Sequence, residues 1–288
     1  MTHDHHHDHH HDQDFDWEAM ADQLELEATL LLPLVGEIVR DHTPFVDWPS
    51  AHHILDLGCG PGVITCALAR HAGAAQLTAL DSSVPLLARA RAHAAADDLA
   101  RRVHTIEADM ESVLPALRPM DVIWAGMVLH HVADPRPVLT NLHQVLQPGG
   151  TLIMIEFAGQ PTAVPDHDPL VQSGAWARME GAIAGEIRNR LGLDPVTVDW
   201  PTLLGAAGFT DITDRTITVE HEAPLDDVTR AWLVAHVRRG LEWAADPLSP
   251  DDAAGLAALA DSVATRSDLF VRAERRVLTA RRPPPGRS

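Results

Sequence analysis

The sequence HILDLGCGPG, at residues 53–62, decides the fold of this chain. Its apolar start ends in an acid, Asp56, and three glycines then follow at alternate positions. The next residues, Val63 to Arg70, are good helix formers, so the pattern predicts a buried strand, a tight turn and a helix start. Such a turn holds a ligand against bare backbone, beside the unpaired N–H groups of the helix. A carboxylate before the glycines would repel a pyrophosphate but would accommodate an amino group or a sulfonium.

Short apolar segments alternate with helical segments after this turn. The alternation is typical of a parallel sheet with helices on both faces. Pro148-Gly149-Gly150 is expected to form the turn into the fifth strand. We predict strands at 53–57, 76–81, 103–108, 121–126 and 151–157, with helices at 63–72, 84–95, 112–117 and 136–146.

The remaining segments predict a cap and the rest of the sheet. One long amphipathic helix is expected from Trp17 to Val39, broken by Pro33. Residues 158–199 interrupt the alternation with a Pro-rich loop and a helix around Gly174 to Leu191. Further predicted elements are a short helix at 201–208, a strand at 211–221, helices at Leu225–Trp243 and Pro250–Ala264, and a last strand at Phe270–Ala280.

These elements suggest a division of the chain into a core and its additions. The parts are a disordered His/Asp-rich tail at 1–16, an N-terminal cap helix at 17–48, a ligand-binding core at 49–157, a lid insertion at 158–199, the C-terminal part of the core at 200–282 with a helical insertion at about 222–266, and a disordered tail at 283–288.

Composition narrows the classes of function. The 288 residues are 45% hydrophobic, which is enough for a full α/β core, and the formal net charge is −19. Such a surface repels nucleic acid backbones and anionic lipid. No apolar window of about 18 residues predicts a membrane span, and the acidic start is unlike a signal peptide. With Cys59 and Cys66 suited to a reduced interior, we expect a cytoplasmic protein.

Acidic residues follow three of the predicted strands. Asp56 ends the first strand, Asp81 ends the second, and Asp109 with Met110 follows the third. Ligands of doubly wound sheets bind at these carboxyl ends. An acid about 20 residues beyond the glycines is placed to accept hydrogen bonds from ribose hydroxyls.

In this order and spacing, the elements resemble those of the class I S-adenosylmethionine-dependent methyltransferases. The similarity is to the small-molecule type, as in ubiquinone/menaquinone biosynthesis and natural-product O-methylation. It implies a Rossmann-like, doubly wound sheet of seven strands with the last strand antiparallel, a helical cap, and S-adenosylmethionine as cofactor. The matching segments are ILDLGCGPG, TALDSS, EADM, DVIWAGMVLHHVADP and LQPGGTLIMIEF, which cover residues 50–157 strongly, while 200–221 match weakly.

The resemblance also implies cofactor-binding roles along the strand ends. The glycine turn would approach the methionine half of the cofactor, and Asp81 would take both ribose hydroxyls. Packing alone is an alternative role for Met110, and a buried structural thiol is an alternative for Cys59. The remaining implied roles are Gly58, Cys59, Gly60 and Gly62 in the turn, Asp56 at the turn and the cofactor's amino end, Ser82 beside Asp81, Asp109 at the adenine amino group, Met110 on the ring, and Ala125 and Gly126 beside the methionine carboxylate.

A dinucleotide site is the alternative for the glycine turn. The dinucleotide fingerprint spaces its glycines G-x-G-x-x-G, whereas this chain has G-x-G-x-G with an acid two residues earlier. The spacing therefore favours the methyl donor.

The reacting end is expected after the fourth strand. His130 and His131 follow that strand, and Glu156 ends the fifth strand across the same mouth. Similarity to small-molecule O-methyltransferases suggests that His131 and Glu156 form a base dyad, in which imidazole removes a proton from the acceptor. The alternatives are a histidine that caps a helix or bonds backbone, and a glutamate that binds substrate or holds a loop.

Substrate recognition is expected outside the core. Candidate contacts are Trp17 and Met20 in the N-terminal helix, Met127 after the fourth strand, and Trp176 and Met179 in the insertion at 158–199. Ordinary packing is the alternative for each of these side chains. The insertion at about 222–266 is expected to complete the cap or to form a homodimer contact.

The first twelve residues interleave histidines with aspartates. Imidazoles and carboxylates bind Zn²⁺, Ni²⁺ or Cu²⁺, but this tail has no feature that fixes a coordination geometry. We expect at most loose divalent metal binding and no catalytic metal.

The sequence therefore predicts an S-adenosylmethionine-dependent methyltransferase with a small-molecule acceptor, oxygen being preferred to nitrogen or carbon. A protein of the same fold that binds the cofactor without transferring methyl, as a cyclase or a ligand sensor, is the main alternative. A metal-handling protein and a nucleic acid methyltransferase are further alternatives. The net charge and the lack of an Asn-Pro-Pro-aromatic motif weigh against the last of these.

Overall fold

The structure is a computed structural model that describes residues 17–284, except residues 44, 166, 192–195 and 245–247. Its centre is one seven-stranded sheet in the order β3-β2-β1-β4-β5-β7-β6. Strands β1 to β5 are parallel, and β7 lies antiparallel between β5 and β6. The strands are β1 His53–Leu57, β2 Gln76–Asp81, β3 Val103–Glu107, β4 Met120–Gly126, β5 Leu146–Phe157, β6 Thr210–His221 and β7 Val271–Arg281.

Helices cover both faces of the sheet, as the alternating pattern predicts. One apolar cluster joins the sheet to α2, α3 and α4, and a second joins the opposite face to α6 and α8. The sequence-based prediction of a Rossmann-like sheet with an antiparallel last strand is confirmed. The α-helices are α1 Trp17–Leu30, α2 Leu32–Glu37, α3 Val63–His71, α4 Val84–Ala96, α5 Met110–Val113, α6 Pro135–Val145, α7 Ala175–Leu191, α8 Trp200–Ala206, α9 Asp227–Trp243 and α10 Pro250–Ser262.

A third apolar cluster lies outside the two sheet faces. It joins α7, α9 and α10 to the end of α1 and the start of β7. We call α1, α7, α9 and α10 the cap. In the part of the chain that the structure describes, no helix has the length and apolar content that crossing a membrane requires.

The predicted break of the N-terminal helix is confirmed to within two residues, and two other predicted boundaries are wrong in detail. The N-terminal helix breaks at Leu31, because Pro33 is accepted only in the first turn of the new helix. The helix expected at 112–117 begins at Met110, because Asp109 accepts a hydrogen bond from the Glu111 N–H and caps it. Strand β5 begins at Leu146, since the Pro-Gly-Gly segment forms an irregularity within the strand rather than the turn before it.

Candidate functional site

The glycine turn lies at the carboxyl end of β1. Gly58, Gly60 and Gly62 all have positive φ, at 65°, 53° and 82°. A Cβ at Gly58 would lie 2.2 Å from Val128, and one at Gly62 would lie 2.6 Å from the Ala90 backbone. A Cβ at Gly60 would meet no atom within 4 Å. The outer two glycines therefore permit close packing, and the middle glycine borders open space where a ligand has access to backbone.

Asp81 links the end of β2 to this turn. Its two carboxylate oxygens accept hydrogen bonds from the Gly60 and Ser83 N–H groups, each at 2.9 Å. Ser82 is exposed beside it. The second acid therefore lies at the middle glycine, as the order of motifs predicts, and it also fixes the turn's backbone.

Asp56 lies beneath the turn and is only 2% exposed. Its carboxyl accepts a hydrogen bond of 2.5 Å from the Thr65 hydroxyl on α3. Burial raises the pKa of Asp56 to about 7, the hydrogen bond from Thr65 lowers it and the charge of Asp81 raises it further. The side chain is thus enclosed between strand and helix, and Thr65 is a partner that the motif does not reveal.

The third acid lies further along the same edge. Asp109 is exposed and caps α5, while Met110 is half-buried and packs against the second sheet-face cluster. Ala125 is buried at the end of β4. A Cβ at Gly126 would lie 2.8 Å from the indole nitrogen of Trp124, a buried donor that has no hydrogen-bond partner among the described residues. The ends of four neighbouring strands thus carry the predicted cofactor residues.

The expected base dyad forms with a different histidine. Nδ1 of His130 lies 2.7 Å from Oε2 of Glu156, and Oε1 of Glu156 accepts the Leu129 N–H at 3.0 Å. Glu156 is 0% exposed and His130 is 5% exposed. The prediction that His131 pairs with Glu156 is therefore wrong, because a 3-10 turn over 129–131 separates consecutive side chains by about 120°.

His131 is exposed, with its ring centroid 4.3 Å from that of His130. Desolvation by the surrounding protein and, next, the neighbouring His130 lower the pKa of His131. A base of lowered pKa is a weak proton acceptor.

The residues predicted to contact the substrate lie in different structural environments. Met127 has a φ of 56°, a conformation unusual for its side chain, and donates its N–H to the Ile155 carbonyl at 2.8 Å. Trp176 and Met179 are buried within the cap cluster, and Trp176 donates its indole N–H to the Pro161 carbonyl. Met20 is half-buried. The side chain of Trp17 lies outside the described residues.

Two residues near the reacting end are not predicted as site residues from the sequence. Phe157 ends β5, and its ring centroid is 5.0 Å from that of His130. Arg275 pairs with Phe157 across β5 and β7, with Cζ 5.7 Å from the Phe157 ring centroid. The alternation of side chains along the last strand is the one signal that places Arg275 on a defined sheet face.

The described residues contain no group of three or more His, Cys, Asp or Glu side chains that could hold a metal ion. The His/Asp-rich tail lies outside the described residues. Cys59 and Cys66 are free and buried, and burial is the main cause that raises the pKa of both thiols.

Comparison with known proteins supports this site. A family model described as a methyltransferase domain matches residues 54–150. The trans-aconitate 2-methyltransferase of Methylobacterium radiotolerans is 34% identical over 207 residues, which cover 70% of this chain and 73% of that protein. The mitochondrial ubiquinone biosynthesis O-methyltransferase of Schizosaccharomyces pombe is 32% identical over 142 residues, so the chain spans about half the length of that relative, 49%.

Solved structures share the fold at lower identity. Phosphoethanolamine N-methyltransferase 2 of Haemonchus contortus, in complex with phosphomonomethylethanolamine and S-adenosylhomocysteine, has a TM-score of 0.54 at 15% identity and covers 93% of this chain and 60% of its own. The 4+2 cyclase SpnF has a TM-score of 0.50 at 20% identity and covers 93% of this chain and 97% of its own. The fold therefore occurs in proteins whose names describe different reactions.

The sheet order and the glycine turn with its neighbouring acids define a class I S-adenosylmethionine-dependent fold. With the identity to a curated methyltransferase over most of its length, the chain belongs to the class I S-adenosylmethionine-dependent methyltransferases. S-adenosylmethionine is accordingly its cofactor. The residues present fit it: open space lies over Gly60, a carboxylate lies beside that space, and the indole N–H of Trp124, which has no partner in the described part of the chain, lies next to Gly126.

Proposed function

We propose that this chain transfers the methyl group of S-adenosylmethionine to an oxygen of a small-molecule acceptor. The observation that carries the choice of oxygen is the buried His130–Glu156 pair. Val128, which a Cβ at Gly58 would strike, directly precedes the 3-10 turn that carries His130. The turn that carries the proposed proton acceptor is therefore linked to the cofactor turn through Val128.

The proposed cofactor contacts follow the strand ends. The turn at Gly58, Cys59, Gly60 and Gly62 faces the methionine half, with Ala125 and Gly126 beside its carboxylate. Asp81, with Ser82, accepts the ribose hydroxyls, and Asp109 and Met110 contact the adenine. Asp56 acts from beneath, by holding the helix start through Thr65. Support comes from the open space at Gly60 and from the position of Asp81 at that glycine.

S-adenosylmethionine supplies a methyl group already activated by the positive sulfur, so the chain's residues need only align the acceptor, exclude water and take up a proton. Nδ1 of His130 is engaged by Glu156, which leaves Nε2 as the nitrogen that can accept the acceptor's proton. As the new C–O bond forms and the C–S bond breaks, the hydroxyl proton passes to Nε2. Glu156 then stabilises the imidazolium, as the carboxylate does in a Ser-His-Asp triad.

Direct assay tests this proposal. The purified chain is incubated with S-adenosylmethionine carrying a ¹³C-methyl group and with a panel of phenols, carboxylic acids and amines. We expect release of S-adenosylhomocysteine together with a methyl carbon whose NMR shift identifies an O-methyl product. Tight binding of S-adenosylhomocysteine without methyl transfer to any acceptor would support the alternative of a protein that binds the cofactor but transfers nothing. An N-methyl or C-methyl product would contradict the choice of oxygen.

A further inference from the structure

Arg275 is a cation at the reacting end that the proposed chemistry does not use. It lies on β7 directly opposite Phe157 of β5, so both side chains leave the same face of the sheet. The guanidinium carbon is 5.7 Å from the Phe157 ring centroid, and that ring is 5.0 Å from the ring of His130. The guanidinium therefore lies one aromatic ring away from the proposed proton acceptor.

The other arginines of β7 have carboxylate partners. Arg272 pairs with Glu220, Arg276 pairs with Asp214 and Arg281 pairs with Asp211. Arg275 has no such pair among the described residues: its Nη1 donates to the Glu274 carbonyl at 3.0 Å, and its buried Nε has no partner. An unpaired charge inside a protein is costly, which makes this arginine a candidate for binding an anion.

The carboxylates near Arg275 are already bound elsewhere. Glu156 accepts hydrogen bonds from His130 and from the Leu129 N–H. Glu27 on α1 accepts one from Gln23 at 3.1 Å and one from Arg239 at 3.0 Å. The two carboxylates raise the pKa of Arg275, but desolvation by burial has the larger effect and lowers it. The charge of the guanidinium is thus incompletely balanced by these carboxylates.

We propose that Arg275 binds a carboxylate group of the acceptor and anchors it beside Phe157 and His130. This inference rests on the proposed function, because it assigns the acceptor class for the same site. A carboxylate matches the planar guanidinium with two parallel hydrogen bonds. It carries a single negative charge, which suits a position near Glu156 and Glu27 better than a phosphate with its higher charge. Because a net charge of −19 repels anions in general, binding of an anionic acceptor requires a local cation.

Matched acids and amides test the proposal without any need for turnover. Binding of 4-hydroxybenzoate and 4-hydroxybenzamide, and of crotonate and crotonamide, is measured by calorimetry on the full chain saturated with S-adenosylhomocysteine. In the unaltered chain we expect each acid to bind about tenfold or more tightly than its amide. Arg275→Gln should reduce that preference to about twofold or less.

Arg272→Gln is the matched control, since Arg272 is an exposed arginine on the same strand with its own carboxylate partner. It should keep the full preference for acids. Arg275→Lys keeps the charge but loses the bidentate geometry, so it should retain a reduced preference, about threefold below that of the unaltered chain. If Arg275→Gln shows no cooperative unfolding and is therefore not folded, the binding data for Arg275→Lys decide whether Arg275 produces the preference for acids.

Several results would overturn the carboxylate subsite. They are equal binding of acid and amide to the unaltered chain, no measurable binding of either, or an acid preference that survives in both Arg275 variants. Failure of the proposed function has a different signature, because the chain would then show the Arg275-dependent preference for acids but no methyl transfer to any acceptor. Methyl transfer without that preference would contradict the carboxylate subsite and leave the proposed methyl transfer standing.

Discussion

Two buried His–Glu pairs of nearly equal geometry lie in different regions of this molecule. His130 and Glu156 are 2.7 Å apart at the ends of β4 and β5, and His236 and Glu180 are 2.6 Å apart in the cap. The side chains are 6% and 0% exposed in the first pair and 6% and 2% in the second. Distance and burial therefore do not distinguish them.

Their surroundings do distinguish them. The first pair adjoins the glycine turn through Val128, and its carboxylate also holds the Leu129 N–H. In the second pair, the His236 ring is stacked on Trp232 at 4.6 Å and lies 5.9 Å from Trp176, inside the cap's apolar cluster. A buried imidazole–carboxylate contact is thus not by itself a mark of catalysis. Its place at the carboxyl ends of parallel strands is the reason why we propose a role in the reaction for the first pair.

The largest expected effect is a loss of turnover when the His130–Glu156 pair is changed, but not when the His236–Glu180 pair is changed. Glu156→Gln keeps the shape but removes the charge that stabilises a protonated His130. We expect kcat to fall by about 10²- to 10⁴-fold, the range for loss of general base catalysis, with the affinity for S-adenosylhomocysteine unchanged. Glu180→Gln is the matched control and should leave kcat within about fivefold. Equal losses of kcat in both variants would show that the two pairs are functionally alike. They would contradict the proposal that His130 and Glu156 act in proton transfer.

The second prediction asks what the cap pair contributes. Replacing Glu180 removes the carboxylate that holds Nε2 of His236 in a buried contact of 2.6 Å, and losing a hydrogen bond to a charged group costs about 1.5–3 kcal/mol. Nδ1 of His236 already lacks a hydrogen-bond partner among the described residues, so the imidazole has no second hydrogen bond to rely on. We expect Glu180→Gln to lower the free energy of unfolding in urea by about 2 kcal/mol. A loss below about 0.5 kcal/mol would indicate a pair that is hydrated and contributes little.

A third buried carboxylate has a hydroxyl partner instead of an imidazole. Burial raises the pKa of Asp56 to about 7 from the ordinary value of 3.8 for an aspartate, so between these values the folded state binds more protons than the unfolded state. Stability should therefore fall as the pH rises through that interval, by at most about 1.4 kcal/mol per pH unit. Asp56→Asn should flatten the dependence in urea titrations at several pH values.

The sequence predicts well which residues meet at the glycine turn, because each of them lies in a local motif. Asp56, Asp81 and the glycines each follow a strand within one short motif, and parallel strands bring such motifs to one edge. The sequence also predicts the helices and strands outside the motifs to within a few residues of their ends, since strong apolar patterns and Gly or Pro boundaries define them.

The acceptor end could not be predicted in the same way. The choice between His130 and His131 depends on the rotation of a 3-10 turn, which no spacing rule specifies. Arg275 is separated from Phe157 by more than a hundred residues and meets it only through antiparallel pairing of β7 with β5. The His236–Glu180 pair likewise depends on how α9 packs on α7. Long-range packing, rather than local preference, decides these contacts.

The fourth prediction tests the link between the glycine turn and the first pair. Gly60→Ala places a Cβ in open space, so it should weaken binding of S-adenosylhomocysteine by about tenfold while costing only about 1–2 kcal/mol of stability for the left-handed backbone. Gly58→Ala should also displace Val128, and with it the turn that carries His130. It should therefore lower both stability and kcat, measured by urea unfolding and turnover. Equal effects of the two variants would contradict the distinct roles of the glycines.

The smallest expected effect concerns the neighbouring histidine. His131 is exposed, its pKa is lowered by desolvation and by His130, and it has no carboxylate partner among the described residues. A base of lowered pKa accepts a proton less readily, so His131→Gln should reduce kcat by no more than about fivefold, against about 10²-fold or more for His130→Gln. The pH profile of kcat/KM separates contact from proton transfer, because only the change at His130 should remove an ionisation from it. A large loss at His131 with that ionisation abolished would transfer the role of base to His131 and leave the His130–Glu156 pair structural, like the pair in the cap.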